Sequence, residues 1–273
     1  MNIFSLQGKN AVVLGGAGIL GRAMVCGLAQ AGASVAIAGR TQSKCEHLAA
    51  ELAEQGFSAR GYQADTTDEA RLSEAAQKIL ADFGQIDILV NAVGGNRPEA
   101  TVGPDASFFD ISTEAFKAVV DLNLFGGVVL PSIIFGKSMA ANAAGGSIIN
   151  ISSMAAILPL TRVVGYSASK AAVNSFTQWM AVEMAQKGYT NLRVNAIAPG
   201  FFLTEQNRFL LTDKDSGELT ARGKTIQTHT PMGRFGEPDE LVGATVWLAS
   251  DASKFVTGIV VPVDGGFSAF SGV

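Results

Sequence analysis

The sequence predicts an α/β fold in which one domain holds a doubly wound, parallel sheet of seven strands with helices on both faces. Short apolar, β-branched runs recur along the 273 residues, and stretches of helical length separate most of them. Strands that alternate with helices are joined by right-handed crossovers and lie parallel. The apolar runs lack polar alternation, which is typical of strands buried on both faces. The strands are predicted at Ala11–Leu14, Ser34–Ala38, Ala59–Ala64, Ile86–Asn91, Ser147–Ile151, Leu192–Ala196 and Ile259–Val263.

The segments between the strands have the length and composition of helices. No linker interrupts the series, so residues 1–273 are expected to form one domain. Segment 201–238 departs from the alternation, because it is richer in charge and follows the sixth strand. An insertion there lies over the ligand crevice of such a fold, so we expect a substrate lid, with a plain surface loop as the alternative. The helices are predicted at Gly21–Ala31, Gln42–Gln55, Asp68–Phe83, Thr113–Ala141, Ser167–Gln186 and Pro238–Ala249.

The composition excludes several classes of protein. Hydrophobic residues make up 48% of the chain and charged residues 16%, which is too apolar for a disordered protein. The net charge of −4 lacks the basic excess that binding to phosphate backbones requires, so no nucleic-acid partner is expected. The sequence shows no continuous apolar run of about 20 residues, so no membrane partner is expected either.

The cysteines and histidines show no pattern of metal ligands. Cys26 and Cys45 fall in predicted helices and indicate reduced, packed thiols, which fits a cytoplasmic location. His47 and His229 are far apart, without the neighbouring cysteines or carboxylates of a zinc site. No metal site is therefore expected.

A glycine-rich turn follows the first predicted strand. Gly16, Gly18 and Gly21 form a G-x-G-x-x-G pattern directly before a predicted helix. Glycines permit a tight turn and let a pyrophosphate approach the backbone N–H groups of a helix N-terminus, where the helix dipole favours an anion. This context predicts a dinucleotide-binding, Rossmann-type domain, with close packing of helix on sheet as the alternative interpretation of the glycines.

Arg40 bears on the choice of dinucleotide. Such folds usually place an acidic residue about 20 residues after the glycines, where it binds the adenosine ribose. Arg40 lies 19 residues after Gly21. A guanidinium can pair with a ribose 2′-phosphate that a carboxylate would repel, so NADP(H) is favoured. A surface arginine over the adenine, compatible with NAD(H), is the alternative.

Three polar residues in the second half of the chain suggest a catalytic group. Tyr166 and Lys170 form a Y-x-x-x-K pair, and residues four apart lie on one face of a helix. Ser153 lies 13 residues before Tyr166, at the end of the fifth predicted strand. Strand ends and the helices that follow them converge at the crevice of such a fold. We therefore expect these three side chains to lie together.

With this set, the sequence resembles the short-chain dehydrogenase/reductase family over nearly its whole length. The order of the motifs along the chain is specific. Two departures from the family pattern are Leu14, where threonine is frequent, and Ile19, where glycine is usual. The matching features are the glycine turn, Asp65, the Asn91-Ala92-Val93-Gly94 segment, Asn123, Ser153, Tyr166, Lys170, Pro199-Gly200 with Thr204, and Asp264-Gly265-Gly266.

The resemblance implies that the chain is an NAD(P)-dependent oxidoreductase and gives each catalytic residue a role. Tyr166 would be the acid/base. A phenol has a reference pKa of about 10, so it needs a nearby cation to lower its pKa towards the working pH. Lys170 would supply that cation and hold the nicotinamide ribose. Ser153 would hydrogen-bond the substrate oxygen, and Asn123 would position a water that relays protons.

The resemblance also implies the cofactor contacts and a homotetramer built through helices near Phe176 and Trp179. Asp65 resembles the family's adenine contact, and Asn91 with Gly94 resembles the wall beside the adenosine and ribose. The full set of implied cofactor-binding residues is Gly15, Gly16, Gly18, Ile19, Leu20, Gly21, Arg40, Asp65, Thr66, Asn91, Ala92, Gly94, Tyr166, Lys170, Pro199, Gly200, Phe202 and Thr204.

The substrate is expected to be a small molecule, and most closely a sugar acid. The segments Gly94–Pro98, Pro159–Arg162 and Thr230–Gly236 resemble family members that act on mannonate, fructuronate or gluconate. Arg97 and Arg162 fall in loops beside the expected crevice, where a guanidinium could bind a substrate carboxylate. Surface arginines without such a role are the alternative.

Two other functions stay open from the sequence. A reductase of 3-oxoacyl thioesters would share the same catalytic residues. A protein that senses nucleotides without catalysis could use the same fold, although it would not need Ser153, Tyr166 and Lys170 together.

Overall fold

The computed structural model describes residues 2–103, 105–203, 211–213 and 216–272. It confirms the predicted fold, since these residues form one parallel sheet of seven strands in the order β3-β2-β1-β4-β5-β6-β7. All seven predicted strands form, with bounds that differ by a few residues. They are β1 Asn10–Leu14, β2 Ser34–Gly39, β3 Ala59–Gln63, β4 Ile88–Asn91, β5 Gly146–Ile151, β6 Leu192–Pro199 and β7 Val260–Val263.

Helices cover both faces of the sheet. The predicted helix over 113–141 is one helical stretch whose middle, Asp121–Val129, is a π-helix between α4 and α5. Helix α6 begins three residues earlier than predicted, which places Tyr166 in its first turn. The helices are α1 Ile19–Gln30, α2 Gln42–Glu54, α3 Glu69–Phe83, α4 Thr113–Val120, α5 Leu130–Ala140 and α6 Val164–Gln186, followed by two shorter helices, Ala221–His229 and Val242–Ala249.

Each strand contributes apolar side chains to two core layers. Val13 belongs to the layer beneath α1, α2 and the helix Val242–Ala249. Its neighbours Val12 and Leu14 belong to the opposite layer, with α3, α5 and α6. All three side chains are fully buried. Because successive side chains of a strand point to opposite faces, a continuous apolar strand is what a sheet covered on both sides requires.

The strand order places a crevice at the carboxyl end of β1. Strand β1 pairs with β2 on one side and with β4 on the other. The order of the strands along the sheet therefore runs outward from β1 in both directions. Doubly wound sheets bind ligands at this switch point. The glycine turn after β1 and the polar ends of β4 and β5 therefore face the same crevice.

The predicted lid, 201–238, is described only in part. Its described pieces include the helix Ala221–His229, which begins where the Thr220 side chain accepts a hydrogen bond from the backbone of Gly223. Phe202 and Gly236 form a short bridge at the two ends of the segment. Thr204, one of the expected cofactor contacts, lies outside the described residues.

One helical stretch, Thr113–Ala140, is long and apolar enough to cross a membrane by length and composition alone. In the fold it packs beside the sheet, and 44% of its most apolar window is buried. The core helix of a globular domain has the same length and composition, so this stretch gives only weak evidence for a membrane span.

Candidate active site

The glycine turn after β1 has a backbone that only glycine allows at two positions. Gly15 adopts a φ of 78°, and a Cβ on it would lie 2.8 Å from the carbonyl oxygen of Ala92. A Cβ on Gly21 would overlap the carbonyl oxygen of Gly15. The turn therefore leaves no room for a side chain at either position, and α1 begins within it.

The N-terminus of α1 faces the crevice with its backbone donors free of side-chain caps. Gly18 is the N-cap residue, and no acidic side chain lies in the first turn. Ile19 is partly exposed and Leu20 half-buried, and both contribute N–H groups that have no partner within the helix. The positive end of the helix dipole adds to these donors, so the turn is built to bind an anion.

A cleft leads from the glycine turn across the ends of β2 and β3. Its lining includes Arg40, Lys44, Asp65 and Thr66. Asp65 accepts hydrogen bonds from the side chain and the backbone N–H of Thr67, at 2.7 and 3.0 Å. These bonds, and the charges of Arg40 and Arg71, hold the pKa of Asp65 below its usual value. The cleft thus presents an ionised carboxylate beside cationic side chains.

Asn91, at the end of β4, is buried, and its side chain bonds to the neighbouring strand β5. Its amide donates to Asn150 of β5 at 2.9 Å, and Asn150 in turn donates to Thr177 of α6 at 2.9 Å. The Asn91 side chain therefore links β4, β5 and α6, and the neighbouring residues Ala92 and Gly94 line the cleft. Asn91 could therefore contact a cofactor only through its backbone and through Oδ1. The Oδ1 atom is buried and has no hydrogen-bond partner among the described residues.

Asn123 lies in the π-helical segment and holds the loop after β4. Its Nδ2 donates to the carbonyl oxygens of Gly95 and Val119, at 2.7 and 2.8 Å, and its Oδ1 accepts from the N–H of Gly95 at 3.0 Å. A Cβ on Gly94 would lie 2.7 Å from Asn123 Oδ1 and 3.0 Å from Lys170 Nζ. The missing side chain of Gly94 thus lets the loop contact both residues.

Lys170 carries its amine into the interior. The residue is 3% exposed, and its Nζ donates to the carbonyl oxygen of Ile151, the last residue of β5, at 2.7 Å. Burial lowers the pKa of Lys170 to about 8. The Nζ atom lies 5.7 Å from the centre of the Tyr166 ring.

Tyr166 and Ser153 face each other across the end of β5. Ser153 follows that strand and accepts a hydrogen bond from the N–H of Ala155 at 3.1 Å. Burial raises the pKa of the Tyr166 phenol, and the nearby Ser153 side chain lowers it by a smaller amount. The structure therefore brings Ser153, Tyr166 and Lys170 together as the sequence predicts, with Asn123 beside Lys170 across Gly94. A hydroxyl, a phenol and an amine in this arrangement can exchange a proton with a bound oxygen atom.

The segment after β6 closes the crevice on the other side. Gly200 donates its N–H to Val263 at 2.9 Å, and a Cβ on it would lie 2.6 Å from Cα of Asp264. Pro199 ends the buried strand. Phe202 packs its ring against Gly236 and belongs to the core, so only its backbone is left to contact a ligand.

The two arginines proposed from the sequence lie on exposed loops that are joined by one hydrogen bond. The N–H of Val102, in the loop that follows Arg97, donates to the carbonyl oxygen of Arg162 at 2.9 Å. A third arginine, Arg222, contacts the same region, because its Nη1 lies 3.4 Å from the hydroxyl of Thr161. Sequence reasoning missed Arg222, and the only signal for it was its place in the charged 201–238 segment.

The chain is similar to known oxidoreductases over nearly its whole length. Residues 15–268 match a family model described as enoyl-(acyl carrier protein) reductase. The chain is 47% identical to the uncharacterized oxidoreductase UxuB of Bacillus subtilis, with 98% of each protein covered. It is 35% identical to the 5-keto-D-gluconate 5-reductase of Escherichia coli, with 97% of each protein covered.

Solved structures show the same architecture with nicotinamide dinucleotides bound. A candidate D-mannonate oxidoreductase from Haemophilus influenzae, with bound NAD, superimposes with a TM-score of 0.90 at 40% identity, with 98% of each chain covered. A gluconate 5-dehydrogenase from Burkholderia cenocepacia, in complex with NADP and tartrate, superimposes with a TM-score of 0.87 at 34% identity and the same coverage.

The Gly21→Ala substitution tests the glycine turn as a dinucleotide site. We expect the Kd for reduced nicotinamide dinucleotides to rise about tenfold or more, because a methyl group at this position displaces the turn at a cost of about 1–3 kcal/mol. Fluorescence titration of the reduced cofactor measures this Kd.

Gly243→Ala is the matched control for that variant, since Gly243 lies in a helix and a Cβ there meets nothing within 4 Å. It should leave cofactor affinity unchanged. Equal affinities of the two variants would contradict a dinucleotide site at the turn.

Proposed function

The chain belongs to the short-chain dehydrogenase/reductase family, and from that membership we propose that it interconverts a hydroxyl and a ketone on a sugar acid. Its class, a nicotinamide-dependent oxidoreductase with a small-molecule substrate, follows from the family and from relatives with NAD or NADP bound. The observation that carries the proposed reaction is the position of Tyr166, whose ring centre lies 5.7 Å from the Lys170 Nζ and whose phenol is close enough to Ser153 for that side chain to lower its pKa.

The glycine turn fits the cofactor, because side chains at Gly15 or Gly21 would collide with the backbone of Ala92 or of the turn itself and displace the N–H donors at the N-terminus of α1. We assign the phosphates to Gly15, Gly16, Gly18, Ile19, Leu20 and Gly21. When bound, the nicotinamide supplies the hydride for reduction and accepts it in oxidation. The remaining holding residues are Arg40, Asp65, Thr66, Asn91, Ala92, Gly94, Tyr166, Lys170, Pro199, Gly200, Phe202 and Thr204.

The proton moves through Tyr166. In reduction, the phenol donates its proton to the substrate oxygen as the hydride reaches the carbon. The phenolate that remains is stabilised by the Lys170 cation, because an opposite charge about 4–6 Å away favours ionisation. Ser153 donates a hydrogen bond to the same substrate oxygen and stabilises its growing negative charge. Oxidation runs these transfers backwards.

Asn123 supports this group by holding the loop at Gly95 beside Lys170. Both of its amide hydrogens are bonded to backbone carbonyls, so a relay water would bond to Oδ1. Asn123 therefore acts on catalysis through position, and the proton reaches solvent past Lys170.

NADP(H) is the favoured cofactor. Arg40 and Lys44 both line the cleft where the adenosine ribose would lie, and no carboxylate takes the position of Arg40. Two cations suit a 2′-phosphate, and related structures hold either dinucleotide.

A sugar acid is the favoured substrate class, on the basis of relatives that act on 5-ketogluconate and gluconate. Arg97 and Arg162 would hold its carboxylate. One observation favours a second candidate, a reductase of acyl thioesters, because the matching family model is described as an enoyl-(acyl carrier protein) reductase. A family model covers many substrates, whereas the sugar-acid relatives are matched along 97% or more of both chains.

We further propose one catalytic domain with a lid over 201–238, a cytoplasmic location and a homotetramer. Ile133 of α5 and Trp179 and Val182 of α6 are each more than half exposed. Large apolar side chains that cluster on neighbouring helices favour a subunit interface. Phe176, in contrast, packs into the core.

Tyr166→Phe tests the catalytic assignment. We expect kcat to fall at least a hundredfold, because the ring stays and the proton is lost, whereas the Kd for the cofactor should change less than threefold. Steady-state kinetics on a ketohexonate and fluorescence titration of the cofactor measure the two quantities. A variant that keeps more than about a tenth of kcat would rule out Tyr166 as the acid.

Arg40→Asp tests the cofactor preference. The carboxylate repels a 2′-phosphate and accepts hydrogen bonds from ribose hydroxyls, so the ratio of kcat/KM for NADPH to that for NADH should fall by about a hundredfold. The ratio is measured for the wild type and the variant with the same substrate. A wild type that already prefers NADH would contradict the assignment.

A further inference from the structure

Arg222 connects the described helix of the 201–238 segment to the loop that precedes α6, the helix of Tyr166. It is the second residue of the helix Ala221–His229. Its Nη1 lies 3.4 Å from the hydroxyl oxygen of Thr161, five residues before Tyr166 in the chain. The guanidinium is half-buried against this loop. The contact therefore sets Arg222 beside the entrance to the proposed site.

Arg162, the residue after Thr161, is held in an unusual conformation. Its φ of 76° makes it the one non-glycine residue with a positive φ in the described part of the chain. That conformation is strained for a residue with a side chain and persists only where the surroundings fix it. Here the N–H of Val102 binds the Arg162 carbonyl at 2.9 Å. Tyr166 is the fourth residue after Arg162, so their Cα atoms lie at most about 14 Å apart.

The two guanidiniums are close enough to repel each other and have no counter-ion among the described residues. The positive charge of Arg162 lowers the pKa of Arg222, in addition to the larger effect of burial. Among the described residues, no carboxylate lies within 4.0 Å of either arginine. The first turn of the Arg222 helix also lacks an acidic residue, so the positive end of its dipole adds to the same charge.

Arg234 shows how the same segment treats an arginine with a structural role. Its two terminal nitrogens bind the two carboxylate oxygens of Glu240, at 2.7 and 2.6 Å. Two neighbouring arginines without a counter-ion among the described residues, one of them half-buried, lower the stability of the fold unless an anion binds to them. Arg162 and Arg222 thus have the features of an anion site rather than of a structural ion pair.

We propose that Arg222, on the helix Ala221–His229, joins Arg162 at the centre of the subsite that binds the carboxylate of the substrate, with Arg97 beside them. The proposal rests on the proposed function, a reaction on sugar acids, and it adds a recognition residue that the chain's motifs do not contain. Two guanidiniums can bind both oxygens of one carboxylate, and the bound acid removes the repulsion between them. A neutral substrate would leave that repulsion in place.

The experiment compares single Arg162→Met and Arg222→Met variants with the wild type on a ketohexonate and on its neutral amide. Each variant should lose at least tenfold in kcat/KM on the acid, the size expected for a lost charge-assisted hydrogen bond, and less than twofold on the amide. Arg222→Lys keeps the charge without the fork of donors and should fall between the two. Lys224→Met, which removes an exposed charge from the same helix, is the matched control and should change neither value.

A second measurement needs no turnover. In the presence of the cofactor, D-gluconate should raise the Tm of the wild type and of Lys224→Met, and it should not raise the Tm of Arg222→Met. Unchanged activity of Arg222→Met on the acid, or equal losses on acid and amide, would overturn the subsite and leave the sugar-acid function standing. A wild type that reduces thioesters or neutral ketones but no ketohexonate would overturn the proposed function and the subsite with it.

Discussion

Lys170 is only 3% exposed, and its amine lies 5.7 Å from the ring centre of the half-buried Tyr166. Burying a cation is costly, and a single hydrogen bond to Ile151 offsets only part of that cost. Burial places the folded pKa of Lys170 at about 8, below the value of about 10.4 for an unfolded chain. The protonated lysine therefore destabilises the fold below about pH 8, and the penalty falls as the pH rises towards 10. The proposed action of the lysine on Tyr166 explains its burial better than stability does.

Rigid elements on all sides hold this pair in place. Strand β5 supplies the carbonyl that binds the lysine, and α6 carries both the lysine and the tyrosine one helical turn apart. The loop after β4 contacts Lys170 only because Gly94 has no side chain, and Asn123 fixes that loop from the π-helical segment. The same crevice holds the glycine turn at its other end, so the fold places the proposed cofactor site and the proposed proton donor at neighbouring strand ends.

The sequence was sufficient to predict the parts of this arrangement that depend on local pattern. Buried strands, the strand–turn–helix at the glycines and the i, i+4 spacing of Tyr166 and Lys170 all leave a periodic or short-range signal. The link from Asn91 through Asn150 to Thr177 left none, because it joins three elements far apart in sequence. Phe202 was predicted to contact the cofactor, but its ring is buried against Gly236, which no local pattern shows. Arg222 could not be predicted for the same reason, because its contact with Thr161 joins residues that are far apart in sequence.

The most direct test of the Lys170 effect is the ionisation of Tyr166 itself, followed by tyrosinate absorbance. The chain has three tyrosines, so subtracting the titration of Tyr166→Phe isolates this one. The measurement is made with and without the Lys170→Met substitution, and in each case the titration of the matching Tyr166→Phe variant is subtracted. The apparent pKa of Tyr166 should be about one to three pH units lower when Lys170 is present. Equal values in the two backgrounds would contradict the view that the buried lysine sets the acidity of the catalytic tyrosine.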